Sequence, residues 1–155
     1  MPGYLLDTNH IEAWERQDPT FMAHLRDVPP ENIIWVCPIS LAELECGLRI
    51  TTATDTNRRA ACRRFIEEQA LEFVREIGIT TRESYAEIME QIWRRHPPVS
   101  GRVSTQRHLS ELGVDVNDVW IAAVALEHGL ILLTDDRMTT IRTCVSNMKV
   151  ENWLS

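Results

Sequence analysis

The chain has 155 residues and a hydrophobic fraction of 44%, so residues 1–155 can bury the core of one ordinary domain without disulfides or a structural metal. The formal net charge is −7, and no stretch approaches the roughly 18 consecutive apolar residues of a membrane span. The first residues also lack a charged region followed by a long apolar one, so we expect neither membrane insertion nor secretion.

The cysteines suggest a reducing environment. Cys37, Cys46, Cys62 and Cys144 form no C-x-x-C motif and no pair with zinc-site spacing. Cys37 and Cys46 lie in or beside apolar runs, where a free cysteine behaves as a small buried hydrophobe. We therefore expect a reduced, cytoplasmic protein.

The first two predicted strands each lead to an acid. Residues 3–6 predict a short buried strand, and Asp7 follows at its carboxyl end. Residues 33–37 predict the next strand, and residues 40–43 then form a capping box at the start of a helix. Capping alone could account for Glu43, and Asp7 could likewise be a simple helix cap.

The middle of the chain predicts helices at residues 55–71 and 82–95, with a strand at about residues 73–77 between them. Residues 91–110, here called the basic segment, contain no Asp or Glu, and a Pro-Pro pair and a Ser-Gly pair predict a loop there. In an acidic chain this is a local electropositive patch that could bind phosphates, although a solvated loop explains it equally well. Its candidate phosphate-binding residues are Arg94, Arg95, Arg102 and Arg107.

Two more acids occur at element ends in the last third. Asp118 lies in the first turn of a predicted alanine-rich helix, where the helix dipole favours an acid. Residues 130–133 predict a buried strand that Asp136 follows, and residues 148–150 predict a final strand. Caps and turns explain either acid when it is considered singly.

The alternation of strands and helices predicts an α/β fold with three layers, a central, mainly parallel sheet flanked by helices. Ligands bind at the carboxyl edge of such a sheet, and Asp7, Glu43, Asp118 and Asp136 would all lie there. Carboxylates without an interleaved lysine require cations, and hard oxygen ligands favour Mg2+ or Mn2+. We therefore expect an acidic metal site at this edge.

Four motifs follow one another in a fixed order along nearly the whole chain. They are LLDTN at 5–9, SLAEL at 40–44, DVWIAAVA at 118–125 and LTDD at 133–136. Together they resemble the successive signatures of the PIN domain family, and most closely the VapC-type toxins of bacterial toxin–antitoxin operons.

The resemblance implies a role for each matching residue. The catalytic and metal-binding acids would be Asp7, Glu43, Asp118 and Asp136. The supporting residues would be Asn9, Thr134 and Asp135. The family often has a basic or amide residue at the position of Asp135, so the division of work between Asp135 and Asp136 is open, and we favour Asp136.

The resemblance also implies an activity and partners. A Mg2+- or Mn2+-dependent endoribonuclease would hydrolyse RNA and leave a 5′-phosphate and a 3′-hydroxyl, with the divalent ion activating water and offsetting phosphate charge. As the toxin of a type II pair, the protein would bind a cognate antitoxin whose basic segment covers the acids. A homodimer is the family's usual assembly.

Three alternatives lie outside this interpretation. A haloacid-dehalogenase-like phosphohydrolase would need a second Asp two residues after the first, and that position is Asn9. A receiver-type signalling domain would need a lysine near the end of a late strand, whereas the only lysine is Lys149. A PIN scaffold that binds RNA or a protein partner without cutting is disfavoured, because all four acids are present.

Overall fold

A single parallel sheet forms the centre of the protein, in a computed structural model that describes residues 3–50, 56–99, 101 and 103–155. Its strand order is β2-β1-β3-β4, and every neighbouring pair is parallel. The strands are β1 (Tyr4–Leu6), β2 (Ile34–Val36), β3 (Ile131–Leu133) and β4 (Lys149–Glu151). The predicted strands at residues 3–6, 33–37, 130–133 and 148–150 are thus confirmed with slightly different ends.

Helices cover both faces of this sheet. They are α1 (Thr8–Glu15), α2 (Pro19–Asp27), α3 (Pro38–Ile50), α4 (Thr56–Glu68), α5 (Thr81–Arg95), α6 (Thr105–Glu111), α7 (Val116–Glu127) and α8 (Thr139–Cys144), with a 3-10 helix at Ala70–Phe73. Within the described ranges, none of these helices combines the length and the apolar character that crossing a membrane requires.

The two central strands explain the three layers. Leu5 and Leu132 belong to a core formed with α5, α7 and α8, whereas Leu6 and Leu133 belong to a second core formed with α1 to α4. All four leucines are fully buried. Because successive side chains of a strand point to opposite faces, a strand buried on both faces must be apolar throughout. The predicted α/β architecture is therefore confirmed.

The strand predicted at residues 73–77 is reduced to one residue. The 3-10 helix continues to Phe73, and Val74 then makes a single parallel bridge to Val36. The next residue, Arg75, still donates its backbone N–H to the Val36 carbonyl at 2.8 Å, while its guanidinium lies over the Trp35 ring. Pairing stops there, and the residues that follow include Glu76 and Gly78, two residue types that strands disfavour.

The predicted helices of the middle region differ mainly at their ends. Residues 82–95 are confirmed as α5, whereas α4 ends at Glu68, three residues before the predicted 55–71 helix would end. Residue 55, its predicted start, lies outside the described residues.

The loop prediction for the basic segment is wrong in part. The helix α5 ends at Arg95, as predicted, but an unpredicted helix, α6, begins after Ser104, whose hydroxyl accepts from the Arg107 N–H at 3.2 Å. His108 on α6 is buried and packs edge-on against Trp93 of α5, with ring centroids 4.6 Å apart. This cap and the packing stabilise a helix that turn-forming residues alone did not predict.

The cysteine prediction is correct for one residue and wrong for another. All four cysteines are free thiols, and Cys37 is buried, but Cys46 is exposed. Cys46 lies on α3, whose core-facing residues are Leu41 and Leu44. Since each helical residue turns by about 100°, a position two residues beyond Leu44 faces away from the core.

Candidate active site

The ends of β1 and β3 place Asp7 and Thr134 side by side. Leu6 pairs with Leu133 at the carboxyl ends of these neighbouring strands, and the next residues are Asp7 and Thr134. The Asp7 N–H donates to the Leu133 carbonyl at 2.9 Å, and the Thr134 hydroxyl donates to Asp7 Oδ2 at 2.8 Å. The sheet register therefore fixes the first acid at the carboxyl edge.

Asp7 is both a helix cap and a buried acid. Its Oδ1 accepts from the Thr8 N–H at 2.7 Å at the start of α1, and only 7% of the residue is exposed. Burial raises the pKa of Asp7, while the hydrogen bonds from Thr134 and Thr8 lower it. The negative charges of Glu43 and Asp136 raise this pKa further. Asp7 thus combines the capping role with a place in an acidic site.

Glu43 is held by two other elements and not by a capping box. The helix α3 already begins at Pro38, so Ser40 is inside the first turn and Glu43 in the second. Proline is well suited to a first helical position, which moves the helix start ahead of the predicted box. The Thr8 hydroxyl donates to Glu43 Oε2 at 2.8 Å, and Asn117 Nδ2 donates to Oε1 at 3.1 Å. Both carboxylate oxygens are therefore oriented by α1 and α7.

Asp118 lies in the first turn of α7, as predicted. The N-cap of this helix is Asp115, whose carboxylate accepts from the Asn117 N–H at 2.8 Å, so capping does not require Asp118. The pKa of Asp118 is raised to about 7, first by burial and then by the charges of Asp7, Asp136, Asp115 and Glu43. These four charges are all negative.

The LTDD motif separates its two acids. Asp136 is among the charges that raise the pKa values of both Asp7 and Asp118. Its N–H donates to the Thr134 hydroxyl at 3.0 Å. Asp135 instead accepts a hydrogen bond from the Asn9 side chain. This arrangement favours Asp136 as the fourth acid and gives Asn9 and Asp135 a bracing contact between α1 and the end of β3.

The four acids, namely Asp7, Glu43, Asp118 and Asp136, fit a hard divalent cation by their chemistry. Their donor atoms are carboxylate oxygens, which Mg2+ and Mn2+ prefer, and a cation would relieve the repulsion that raises the pKa of Asp118. As they stand, no three His, Cys, Asp or Glu side chains in the described part of the chain form a group that could hold a metal ion. Mutual repulsion of the carboxylates opposes their closer approach.

Two positioning residues, Thr8 and Asn117, were missed by the sequence analysis. Each immediately neighbours a predicted acid, Asp7 or Asp118, yet each donates to the distant Glu43. Their positions directly beside two predicted acids were the clue to these residues that the sequence offered. The partner could not be predicted, because residues 35 and 74 positions apart meet only in the folded sheet edge.

Two arginines of the basic segment, which was expected to be a free electropositive patch, form ion pairs with acids of their own helices. Arg94 forms an ion pair with Glu90 at 2.7 Å and Arg107 with Glu111 at 3.1 Å, both within exposed helical turns. The partner acids lie just outside the acid-free stretch. Arg95 is exposed, whereas Arg102 lies outside the described residues. Exposed pairs of this type are worth about 0.3–0.5 kcal/mol, so a phosphate could displace them.

Comparison with known structures identifies the fold. The chain is similar to DNA-bound VapBC from Salmonella typhimurium, with a TM-score of 0.69, 18% identity and coverage of 99% of both chains. For FitAcB from Neisseria gonorrhoeae the TM-score is 0.66 at 21% identity, with 97% of both chains covered. For VapBC2 from Rickettsia felis, bound to a DNA fragment from its promoter, the TM-score is 0.67 at 19% identity, with 97% of this chain and 98% of that chain covered. Identities this low show the fold alone.

The sequence itself carries the family assignment. No curated protein sequence matches the chain significantly. A model of the PIN domain family, however, matches residues 4–142, from the first strand into α8. This range includes all four acids and the elements that position them. The chain therefore belongs to the PIN domain family.

Proposed function

We propose that the protein is a Mg2+- or Mn2+-dependent endoribonuclease and the toxin of a type II toxin–antitoxin pair. The observation that carries this proposal is the mutual electrostatic effect of the four acids at the carboxyl edge of a PIN domain sheet. Repulsive carboxylates cost stability, and a fold retains such a cost where function requires it.

A divalent ion held by the four acids would supply the Lewis acidity that phosphodiester hydrolysis requires. The surrounding residues determine how the acids are presented. Hydrogen bonds from Thr134 and Thr8 favour the ionised form of Asp7, and contacts from Thr8 and Asn117 fix both oxygens of Glu43. These contacts preorganise the carboxylates, so little rearrangement is needed when a cation and a phosphate bind.

A covalent mechanism is disfavoured by the nearest thiol. Cys37 is fully buried, and burial raises its pKa, as do the charges of Asp7 and Glu43. A nucleophilic cysteine needs the opposite, an electropositive and accessible setting that favours the thiolate. Direct attack by water, assisted by a metal, is therefore the better explanation of the site.

The proposed partners follow from the same assignment. The structures similar to this chain include a member of the VapBC family of toxin–antitoxin systems. We extend this to the present protein as a proposal: a cognate antitoxin covers the four acids with a basic segment, and the active form is a homodimer. The substrate is RNA, as the resemblance to VapC-type toxins implies.

Metal-dependent cleavage is the direct test. With Mg2+ or Mn2+, the purified protein should cut structured RNA, and excess EDTA should abolish the cleavage, because carboxylates alone provide neither a Lewis acid nor an activated water. Gel analysis of end-labelled RNA would measure it. Equal cleavage in EDTA would contradict the mechanism, and binding without cleavage in either metal would support a non-catalytic PIN scaffold.

The basic segment gives a second prediction. Replacing Arg94, Arg95, Arg102 and Arg107 with Gln should weaken RNA binding and flatten its salt dependence, because each lost phosphate contact lowers the slope of log affinity against log salt by about one. Fluorescence anisotropy at several salt concentrations would measure both quantities.

The ion pairs of the basic segment provide a matched control. Glu90→Gln and Glu111→Gln free Arg94 and Arg107 from their helical partners, so these variants should bind RNA more tightly than the wild type. Unchanged affinity and slope in the arginine variant would reassign the segment to a solvated surface.

A further inference from the structure

A cavity of about 220 Å³ opens directly beside two of the four acids. Asp118 and Asp136 lie on its wall, and the chain on either side belongs to the turn after α6 and to the start of α8. The cavity therefore adjoins the place where the proposed reaction occurs, and apart from these two acids its lining consists of residues that the reaction does not use.

The cavity has a mixed lining, in which apolar and polar residues both take part. Met138 and Ile141 are buried, Leu112 and Val114 are partly buried, and these four form the apolar part of the lining. The exposed residues of the lining are Gly113, Asp136, Arg137 and Thr139. A pocket that combines apolar and polar groups suits a flat ligand whose faces are apolar and whose edges form hydrogen bonds. A nucleobase has this character.

The backbone on the α8 side keeps this lining in place. Met138 has a left-handed conformation, with φ 43° and ψ 41°, which is unfavourable for a residue with a side chain. Its N–H donates to Asp136 Oδ1 at 3.2 Å. The turn leaves Met138 only 6% exposed while its neighbour Arg137 is exposed. Backbone strain of this type persists where surrounding contacts enforce it. Here the hydrogen bond from the Met138 N–H links Asp136 to the cavity wall.

Arg137 is available to a ligand. In the described part of the chain, no carboxylate forms an ion pair with it, in contrast to Arg94 and Arg107. A guanidinium next to a phosphodiester-cleaving centre is well suited to a phosphate, because its planar N–H groups match two phosphate oxygens.

We propose that this cavity binds the nucleotide that adjoins the scissile phosphate, with Arg137 contacting the phosphate of that nucleotide and its base packed against the apolar part of the lining. The assignment rests on the proposed ribonuclease function and deepens it by giving the site a place where base identity is read. Single-stranded RNA fits best, because its bases can leave a stack and enter a pocket.

Binding of mononucleotides tests the cavity without any cleavage. In protein labelled at the methionine methyl groups, each nucleoside 5′-monophosphate would be titrated in the presence of Mg2+ and followed by NMR. The Met138 signal should shift, whereas the signals of Met22 and Met89, which pack in the two cores, should not. An equal shift with inorganic phosphate, or no Met138 shift with any nucleotide, would overturn the proposal of a base pocket.

Arginine variants test the phosphate contact during turnover. Arg137→Gln should raise KM about tenfold with little change in kcat, and lower the salt slope by about one. Arg137→Lys should restore the slope, because it restores the charge. Arg142→Gln, an exposed change on α8 that lies outside the cavity lining, should stay within about twofold of the wild type.

The outcomes of these experiments distinguish a failure of the proposed nucleotide site from a failure of the proposed ribonuclease function. If Arg137→Gln and Arg142→Gln had the same KM and the same salt slope, Arg137 would not belong to the nucleotide site. If the wild type cut no RNA in Mg2+ or Mn2+, the proposed function would be wrong, and the Met138 titration would still decide whether the cavity binds nucleotides.

Discussion

Replacing Asp7 with Asn should lower kcat/KM for RNA cleavage by several orders of magnitude while leaving the fold intact. Asn is nearly isosteric, and its Oδ1 can still accept from the Thr8 N–H, so the cap of α1 is kept, while its Nδ2 can donate to the Thr134 hydroxyl. What the variant lacks is the charge of the most buried of the four acids. Loss of a direct ligand to a catalytic cation removes transition-state stabilisation and not merely substrate affinity.

The measurement is cleavage rate against RNA concentration, with far-UV circular dichroism to confirm folding. Asp115→Asn is the matched control, since Asp115 is an acid near Asp118 that caps α7, and Asn is an equally good cap. The control should retain near wild-type activity. Asp7→Asn with wild-type kcat/KM would exclude Asp7 from the metal site.

Sequence patterns predicted the central strands because each carries a continuous apolar run that only a strand buried on both faces explains. The placement of Asp7 followed from this, since the residue directly after a parallel strand lies at the carboxyl edge, whereas Asp136 lies in the turn that begins at the end of β3. The bridge at Val74 and the helix α6 were harder to predict, because each depends on tertiary contacts. One such contact is the packing of His108 on Trp93.

The candidate site likewise has parts that the sequence predicts and parts that depend on tertiary contacts. Its acids could be named from motif spacing, but the start of α3 could not, because Pro38 and the Ser40 box are two competing signals for one helix end. The partners of Glu43 come from α1 and α7 and leave no local trace in sequence. The raised pKa of Asp118 depends on burial by the whole fold and on the charges of other elements.

That raised pKa leads to the second large expected effect. The pKa of Asp118 is about 7 in the folded protein and near its ordinary value of 3.8 in the unfolded chain. Between about pH 4 and pH 7 the folded state therefore binds more protons, so the free energy of unfolding should fall as pH rises through this range. Asn cannot ionise, and Asp118→Asn should stabilise the metal-free protein at pH 8 by on the order of 1 kcal/mol or more. Below about pH 4 this advantage should vanish.

Mn2+ should stabilise the wild type much more than Asp118→Asn. A cation that binds only the folded state raises the stability of the wild type in proportion to the logarithm of its concentration, and Asp118→Asn should lose most of that gain. Thermal melts of both proteins at pH 4 and pH 8, with and without Mn2+, would measure the four differences. A helix-capping role predicts the reverse sign, because loss of a cap costs about 1 kcal/mol and leaves any metal response unchanged. An Asn variant that was less stable than the wild type at pH 8, with its Mn2+ response intact, would show that Asp118 serves the helix and not the metal.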